Sequence, residues 1–516
     1  MIRRVGLAAV LMIALTTLPY LIALAATPPG SVFSSAILDR IDVNSHLAKM
    51  EQGERGAWLY SLLFTDRPHP PIAIQTFYIA LGHVARWTGL SLILVYHLAR
   101  IVCVGLMVFA LWAFLTHYLT PDGAFAALLL CLFGGGIGFV LFFIAPALTR
   151  DIAPIEFWLL DAYTFLGSFA LPHFAAGIAL LAVGMLAIDR WTGGGARGSL
   201  LTLWLAALGI AILQPFDLLL LDLVLVIAVI GRIITRQIKP IPGITGLALV
   251  GISHAALGGY TWLALHSDPV WQSFNDQNVT LSPPPMYYVL GYGPLLLPAI
   301  LGLWHILHGK EGRWLVPVAW LVVVAILVYF PIATQRRFLL GVQAPMAALA
   351  VFWLADYALP ASRRRFRRRY RLAVVGYGTL AMLSTVLLLA WLLGKPASDG
   401  RTLYDSTDEV AALNWISANT PADAVLLSDF ETGGKIPADT GRRVVLGHWI
   451  ETPDYERTRS EVEIFYAPDT GDAWRRDYLR AHHVDYVWFQ DTPAPDAAYL
   501  QSAFESGSVR IFRVVP

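Results

Sequence analysis

Repeated apolar runs, most of them close to 20 residues, constrain this chain before any motif is considered. The first, residues 5–26, follows Met1-Ile2-Arg3-Arg4 and is long enough to cross a hydrocarbon core of ~30 Å at ~1.5 Å per residue. A cleaved signal peptide ending near Ala25 and Ala26 is the competing reading. Signal cores run to only ~7–15 residues, so a retained helix is expected. Further spans are expected at about 91–115, 122–144, 172–190, 199–213, 215–232, 243–265, 288–308, 314–331, 338–358 and 371–394, which makes about 11 transmembrane helices. With 57% hydrophobic and 14% charged residues, the fold class is a polytopic α-helical membrane protein. Both cysteines, Cys103 and Cys131, fall inside apolar runs, where a thiol acts as a small hydrophobe, so neither a disulfide nor a redox role is expected.

The formal net charge of +1 hides a strong asymmetry. Seven arginines crowd into residues 363–371, RRRFRRRYR. Lying between two apolar segments, that run marks a cytoplasmic face and not a nucleic-acid site. With Arg3 and Arg4 inside, Arg190, Arg197, Arg232, Arg236, Lys239, Lys310 and Arg313 also fall inside, provided residues 72–88 do not cross. That segment, IAIQTFYIALGHVARWT, holds Gln75, His83 and Arg86 and reads as an interfacial or re-entrant helix. The expected protein has a cytoplasmic N-terminus, a membrane domain over 1–394 with long external loops at 27–90, 145–171 and 266–287, and an external domain over 395–516. Sites tend to be carried by such loops.

After residue 394 short β-branched runs alternate with amphipathic stretches: VLL at 425–427, RVVL at 443–446, DYVWF at 485–489 and VRIFRV at 509–514. An α/β domain with a mostly parallel sheet is expected. Thr432-Gly433-Gly434-Lys435 lacks the spacing of a phosphate loop and reads as a helix start. Earlier in the chain, Gln214-Pro215-Phe216-Asp217 breaks one apolar run into two helices. Asp217 then either caps the second helix or faces a cavity.

The groups that can do chemistry gather in the outer loops. Residues 39–71 carry Asp39, Asp42, His46, Asp66 and His69, which can take protons or ligate metals, beside Trp58 and Tyr60, which can stack on sugars. Asp42 and His46 are four residues apart, on one face if helical. In the second loop Glu156 or Asp161 can join Asp42 around a metal or a substrate hydroxyl, with His173 assisting at the end of a span; capping and anchoring are the plainer alternative. Gln335-Arg336-Arg337 sits where the topology puts an outer end, against the positive-inside trend, and guanidinium forks match phosphate oxygens, so an anionic lipid head group is expected there. Asn278-Val279-Thr280 is formally a glycosylation sequon, but the prolines and tyrosines around it read as a rigid wall.

This layout resembles the GT-C class of membrane glycosyltransferases: an inward N-terminus, a first span, a long loop opening with an acid, a second acidic loop, many further spans and an external C-terminal domain. The chain also resembles a bacterial GT-C-like group that shares GxWL, QNxxxSPPP, QRRF and GRRVVxGHWxETPDY, found here at Gly56 to Leu59, Gln277 to Pro285, Gln335 to Phe338 and Gly441 to Tyr455. The resemblance implies transfer of a sugar from a polyprenyl-phosphate donor to a glycan, lipid or protein acceptor at the outer face of a bacterial plasma membrane. It implies Asp42 as first-loop base or metal ligand, Asp161 or Glu156 as the second-loop acid, and Arg336 and Arg337, with Gln335, His46, His69 and His173 near them in role, as holders of substrate and donor phosphate. Asp39-Arg40-Ile41-Asp42 stands where many relatives have adjacent acids, and the second loop has no Asp-x-Asp, which leaves a divalent metal open. The alternative is a non-catalytic carrier, transporter or binding protein for lipid-linked glycans; no internal repeat of the transporter kind is visible.

Overall fold

The computed structural model describes residues 1–194, 197–309, 311–366 and 369–515. Lys310 and, in the basic run, Arg367 and Arg368 lie outside the described residues. The chain forms two compact units, each assembled from separated stretches: Met1–Pro19, Leu98–Gly258 and Val279–Gly394 in the first, and Tyr20–His97, Gly259–Asn278 and Lys395–Pro516 in the second.

Eight helices among the described residues are long and apolar enough to cross a membrane: Ile2–Ala25, Leu92–Tyr118, Pro121–Ile144, Pro172–Gly194, Pro240–His266, Pro285–Gly309, Gln343–Arg365 and Tyr370–Ser398. They match eight of the eleven expected spans. The other three are helices of a different kind. Arg197–Leu213 and Leu315–Leu327 have 17 and 13 residues, which fall short of the ~20 a bilayer asks for. Asp217–Ile234 carries Asp217, Asp222 and Arg232 in 18 residues, so length alone misjudges it. The break between Leu213 and Asp217 falls where Pro215 predicts it.

Several buried charges of the first unit are paired or hydrogen-bonded, as a low-dielectric surrounding favours. Asp189 accepts from Arg232 at 2.8 Å and meets His117 Nε2 at 2.7 Å. Arg100 donates to the Thr16 carbonyl at 3.0 Å and to Thr17 Oγ1 at 3.1 Å. Residues 145–171 fold into short helical turns, and polar clamps hold them. Tyr292 donates to the Ala162 carbonyl and Tyr163 to the Gly291 carbonyl, each at 2.6 Å. A Cβ on Gly291 would lie 2.5 Å from the Tyr163 hydroxyl, so only glycine admits this clamp.

In the second unit the helices Arg40–Glu54 and Thr76–Thr88 pack through glycines. A Cβ on Gly53 would stand 2.0 Å from the Ile79 carbonyl oxygen, and one on Gly82 2.0 Å from that of Met50. Thr76–Thr88 has 13 residues, too few to cross a bilayer, in keeping with the interfacial reading of 72–88. Strands β1 (Ser31–Phe33) and β2 (Tyr404–Ser406) pair antiparallel. A five-stranded sheet follows, made of β3 (Val425–Leu427), β4 (Arg443–Val444), β5 (Tyr486–Gln490), β6 (Leu500–Ser506) and β7 (Val509–Val514), in the order β4-β3-β5-β7-β6. Its parallel pairs are β3 with β4 and β3 with β5; β5 with β7 and β6 with β7 run antiparallel. The expected mostly parallel sheet is thus corrected to a mixed one. Strand β6, LQSAFES, is too polar and too exposed to read as a strand.

Side-chain alternation gives the sheet two apolar faces. Leu426, Tyr486 and Trp488 join Leu63, Phe64, Ala412 and Ile436 on one side. Val425, Leu427, Val487 and Phe489 join Val462, Phe465 and Leu479 on the other. Leu63 also ties into the strand register, its carbonyl accepting from Val444 N at 2.9 Å. Thr432-Gly433-Gly434-Lys435 lies at the start of the helix Phe430–Thr440, capped by Asp429. Gly433 is there for proximity: a Cβ on it would meet the Leu446 carbonyl oxygen at 1.9 Å.

Candidate functional site

Asp42 stands in the first turn of Arg40–Glu54, where a carboxylate suits the helix dipole. Its Oδ1 is 3.1 Å from His448 Nε2. Asp42 keeps 32% of its side chain exposed while His448 keeps 4%, so the acid can reach solvent and its partner cannot. One and two turns further along the same helix face come Ser45 and Lys49. Glu451 Oε1 accepts from Ser45 Oγ at 2.6 Å and from Lys49 Nζ at 2.8 Å, and its Oε2 accepts from the Tyr60 hydroxyl. Burial works against the Glu451 carboxylate, but the Lys49 ammonium beside it and the hydrogen bonds from Lys49 and Ser45 bring its pKa below the ordinary value. Burial, reinforced by the Glu451 charge, pushes the Tyr60 phenol well above its usual range, so it stays a neutral donor.

The two first-loop histidines are engaged otherwise. His46 lies flat on Tyr78 with ring centroids 3.9 Å apart. His69 Nε2 accepts from Leu62 N, and its Nδ1 donates to the Arg67 carbonyl, both at 2.9 Å. With both nitrogens on backbone groups, and with a pKa lowered chiefly by burial, His69 staples its own turn.

In the first unit a second group forms around Asp161, in the turn Leu160–Ala162, and the turn Gln335–Leu339. Asp217 is 2% exposed and its Oδ1 has no hydrogen-bond partner. It lies within electrostatic reach of Asp161 and Arg337. Its helix is entered from Phe216 with no side-chain cap, so Asp217 stands in the first turn and does not cap it. The Arg337 guanidinium covers the Phe216 ring at 5.4 Å, and that of Arg336 covers Trp158 at 5.0 Å. Arg336 makes no ion pair among the described residues. Trp158 lines a pocket of about 420 Å³ with Asp151, Ile152, Ala153, Leu281 and Ser282. Gln335 fixes one wall: its Oε1 accepts from Ser282 N at 3.0 Å and its Nε2 donates to the Phe330 carbonyl at 2.8 Å.

Glu156 plays another part. Its Oε1 accepts from Phe139 N at 3.0 Å, and a Cβ on Gly138 would stand 2.6 Å from its Oε2. Burial raises its pKa. The carboxyl braces the 138–139 turn, whereas Asp161 faces the arginines' electrostatic group. His173 is buried against Phe174, with ring centroids 4.3 Å apart. Among the described residues no three His, Cys, Asp or Glu side chains converge as a metal-ligating set. A depression of about 570 Å³ beyond the carboxyl ends of β3 and β5 has its nearest acid already engaged, since Asp429 accepts from Thr432 N at 3.0 Å and from its Oγ1 at 2.8 Å.

No protein-family model matches this chain, and no curated protein does. Solved structures do. ArnT from Cupriavidus metallidurans, in its complex with undecaprenyl phosphate, superposes with a TM-score of 0.53 at 12% identity over 98% of this chain and 97% of that one. The arabinofuranosyltransferase AftD from Mycobacteria gives 0.52 at 16% identity over 99% of this chain and 40% of its own. The oligosaccharyltransferase AglB from Archaeoglobus fulgidus, bound to an inhibitory peptide and a dolichol-phosphate, gives 0.47 at 12% identity over 93% and 69%. The fold is that of the GT-C membrane glycosyltransferases. The chain spans less than half of AftD and nearly all of ArnT.

Within this GT-C fold, the contacts that sequence reasoning missed are those of His448 with Asp42 and of Lys49 with Glu451. The pairing of His448 with Asp42 joins positions 406 apart, and nothing in Gly447-His448-Trp449 announces it. Lys49 gave a faint signal: a lysine inside the amphipathic LAKM stretch turns out to be fully buried, and buried lysines need a partner.

Proposed function

We propose that this chain is a membrane glycosyltransferase that moves a sugar from a polyprenyl-phosphate carrier to an acceptor at the outer face of a bacterial plasma membrane. The observation that carries the reading is Arg336: a guanidinium over the ring of Trp158, itself a pocket-lining residue, with no carboxylate partner among the described residues. A cation kept unneutralised inside a membrane protein is costly unless a ligand completes it, and a phosphate on a lipid fits the fork geometry. That ArnT was solved with undecaprenyl phosphate supports the same choice of ligand.

In this mechanism Arg336 and Arg337 hold the donor phosphate, with Asp161 and Asp217 within electrostatic reach of Arg337. The bond from the anomeric carbon to the phosphate oxygen breaks, and the arginines stabilise the negative charge that builds on the departing polyprenyl phosphate. The acceptor oxygen bonds to the anomeric carbon as the proton of its hydroxyl passes to a base, the role that the GT-C resemblance gives to Asp42. A positioned base of this kind contributes about 10²–10⁴-fold.

The test is transfer of radiolabelled sugar from a panel of polyprenyl-phosphate sugars by the purified protein in lipid. Asp42→Asn is expected to abolish transfer while leaving donor binding intact. Arg336→Ala is expected to raise the donor KM about tenfold or more, the worth of one charge-assisted contact. Donor binding without turnover in the wild type would instead select the carrier or binding-protein reading.

A further inference from the structure

The arrangement around Asp42 says more than that an acid is present. His448 Nδ1 accepts two backbone N–H groups, from Ile450 at 3.1 Å and from Glu451 at 3.2 Å. That nitrogen therefore carries no proton, and the ring's proton sits on Nε2, the atom 3.1 Å from Asp42 Oδ1. The ring is thereby oriented with Nε2–H aimed at one carboxylate oxygen.

The segment that carries His448 is held from several sides. Glu451 ties it to Ser45, Lys49 and Tyr60. Thr452 Oγ1 accepts from Gly447 N and His448 N, each at 3.3 Å. Gln277 Nε2 donates to the Ile450 carbonyl at 3.0 Å and to that of Thr452 at 2.9 Å. A buried ion pair such as Lys49 with Glu451 is a poor way to gain stability, because desolvating both charges offsets their attraction. It is a good way to fix a register, and the register fixed here is that of His448 against Asp42.

We propose that His448 is a positioning residue for Asp42, so that residues 447–452 of the C-terminal segment form part of the apparatus that activates the acceptor. This rests on the reading of Asp42 as the base. The hydrogen bond from Nε2 fixes the direction in which the Asp42 carboxylate is presented to the acceptor hydroxyl. The charged pair beside His448 is Lys49 with Glu451, which neutralise one another, and the Tyr60 hydroxyl donates to the Glu451 carboxylate.

The experiment follows the Asp42 carboxyl carbon by ¹³C NMR in the full chain labelled at aspartate, with the Asp42 line assigned by its loss in Asp42→Asn. His448→Ala should raise the Asp42 titration midpoint by about one pH unit, as expected for a carboxylate that loses a donor. His448→Gln, whose amide nitrogen can replace Nε2, should restore it. Transfer by His448→Ala should fall about tenfold in kcat, with donor KM unchanged and the acidic limb of the pH profile moved upward, and His448→Gln should recover most of the rate. An unchanged Asp42 midpoint in His448→Ala, or a Gln variant as impaired as Ala although equally well folded by thermal melting, would overturn the proposal. If no donor supports transfer in the wild type, the glycosyltransferase reading fails, while the Asp42 titration still decides whether His448 positions it.

Discussion

Lys49 is fully buried, and a single substitution there separates two kinds of interaction energy. Lys49→Met would leave the Glu451 carboxylate uncompensated, at a cost on the order of 3–5 kcal/mol, read as a fall in Tm. The double variant Lys49→Met with Glu451→Gln should recover most of that loss, since the charge to be buried is gone. The same pair sets an acid limit. Because the Glu451 pKa is lowered in the folded protein, folding favours its ionised form. Its contribution is complete above the ordinary value of 4.5 and is lost as pH falls through the depressed folded value. Tm should therefore drop more steeply below about pH 4.5 in the wild type than in Glu451→Gln. At this scale the sequence is a good guide to single chemical types: Asp42, Asp161, Arg336 and Arg337 stand out because charges at the ends of apolar runs need reasons. It is a poor guide to partners. Asp42 shares a helix with His46 but takes its hydrogen bond from His448, and Gln335 binds the backbone of Ser282.

Elements succeed or fail as readings according to how much of the decision is local. The eight long spans are legible because hydropathy and length alone settle them. The helices Arg197–Leu213, Asp217–Ile234 and Leu315–Leu327 are apolar but short or charged; they are secured by the helices they pack against, which no window of sequence contains. Strand β6 is missed for the same reason, since its register comes from β7. Glycines mark where elements approach most closely. Gly53→Ala should force Arg40–Glu54 away from the Ile79 carbonyl, since the added Cβ would otherwise sit 2.0 Å from that oxygen. Overpacking of this kind costs about 1–3 kcal/mol or more. Because Asp42 and Lys49 ride on that helix, Gly53→Ala is expected to lower both Tm and kcat, whereas alanine at Gly89, beyond the end of Thr76–Thr88 with nothing within 4 Å of its Cβ, should cost less despite its positive φ.

For the whole molecule, the orientation expected from the basic residues can be read by labelling. Both native cysteines are buried, so background should be low. A membrane-impermeant maleimide applied to intact cells should label Ser502→Cys, an exposed position on β6, and should not label Ala361→Cys, an exposed position beside the arginine run. Labelling in the opposite sense would invert the topology and remove the outer-face reaction. Membrane character and GT-C resemblance were both legible from the placement of apolar runs, acids and loops. The assembly of the second unit from three stretches was not, because Leu63 and Phe64 look like loop residues until the sheet they complete is seen.

That assembly also imposes an order of events during synthesis. Asp42 and His448 are separated by 406 residues, and ribosomes add about 5–20 residues per second. The nascent chain thus carries Asp42 for roughly 20 to 80 s before its partner exists. Through that interval the chain can already be entering the membrane with Asp42 still lacking the hydrogen bond that positions it, which residues 447–452 later supply.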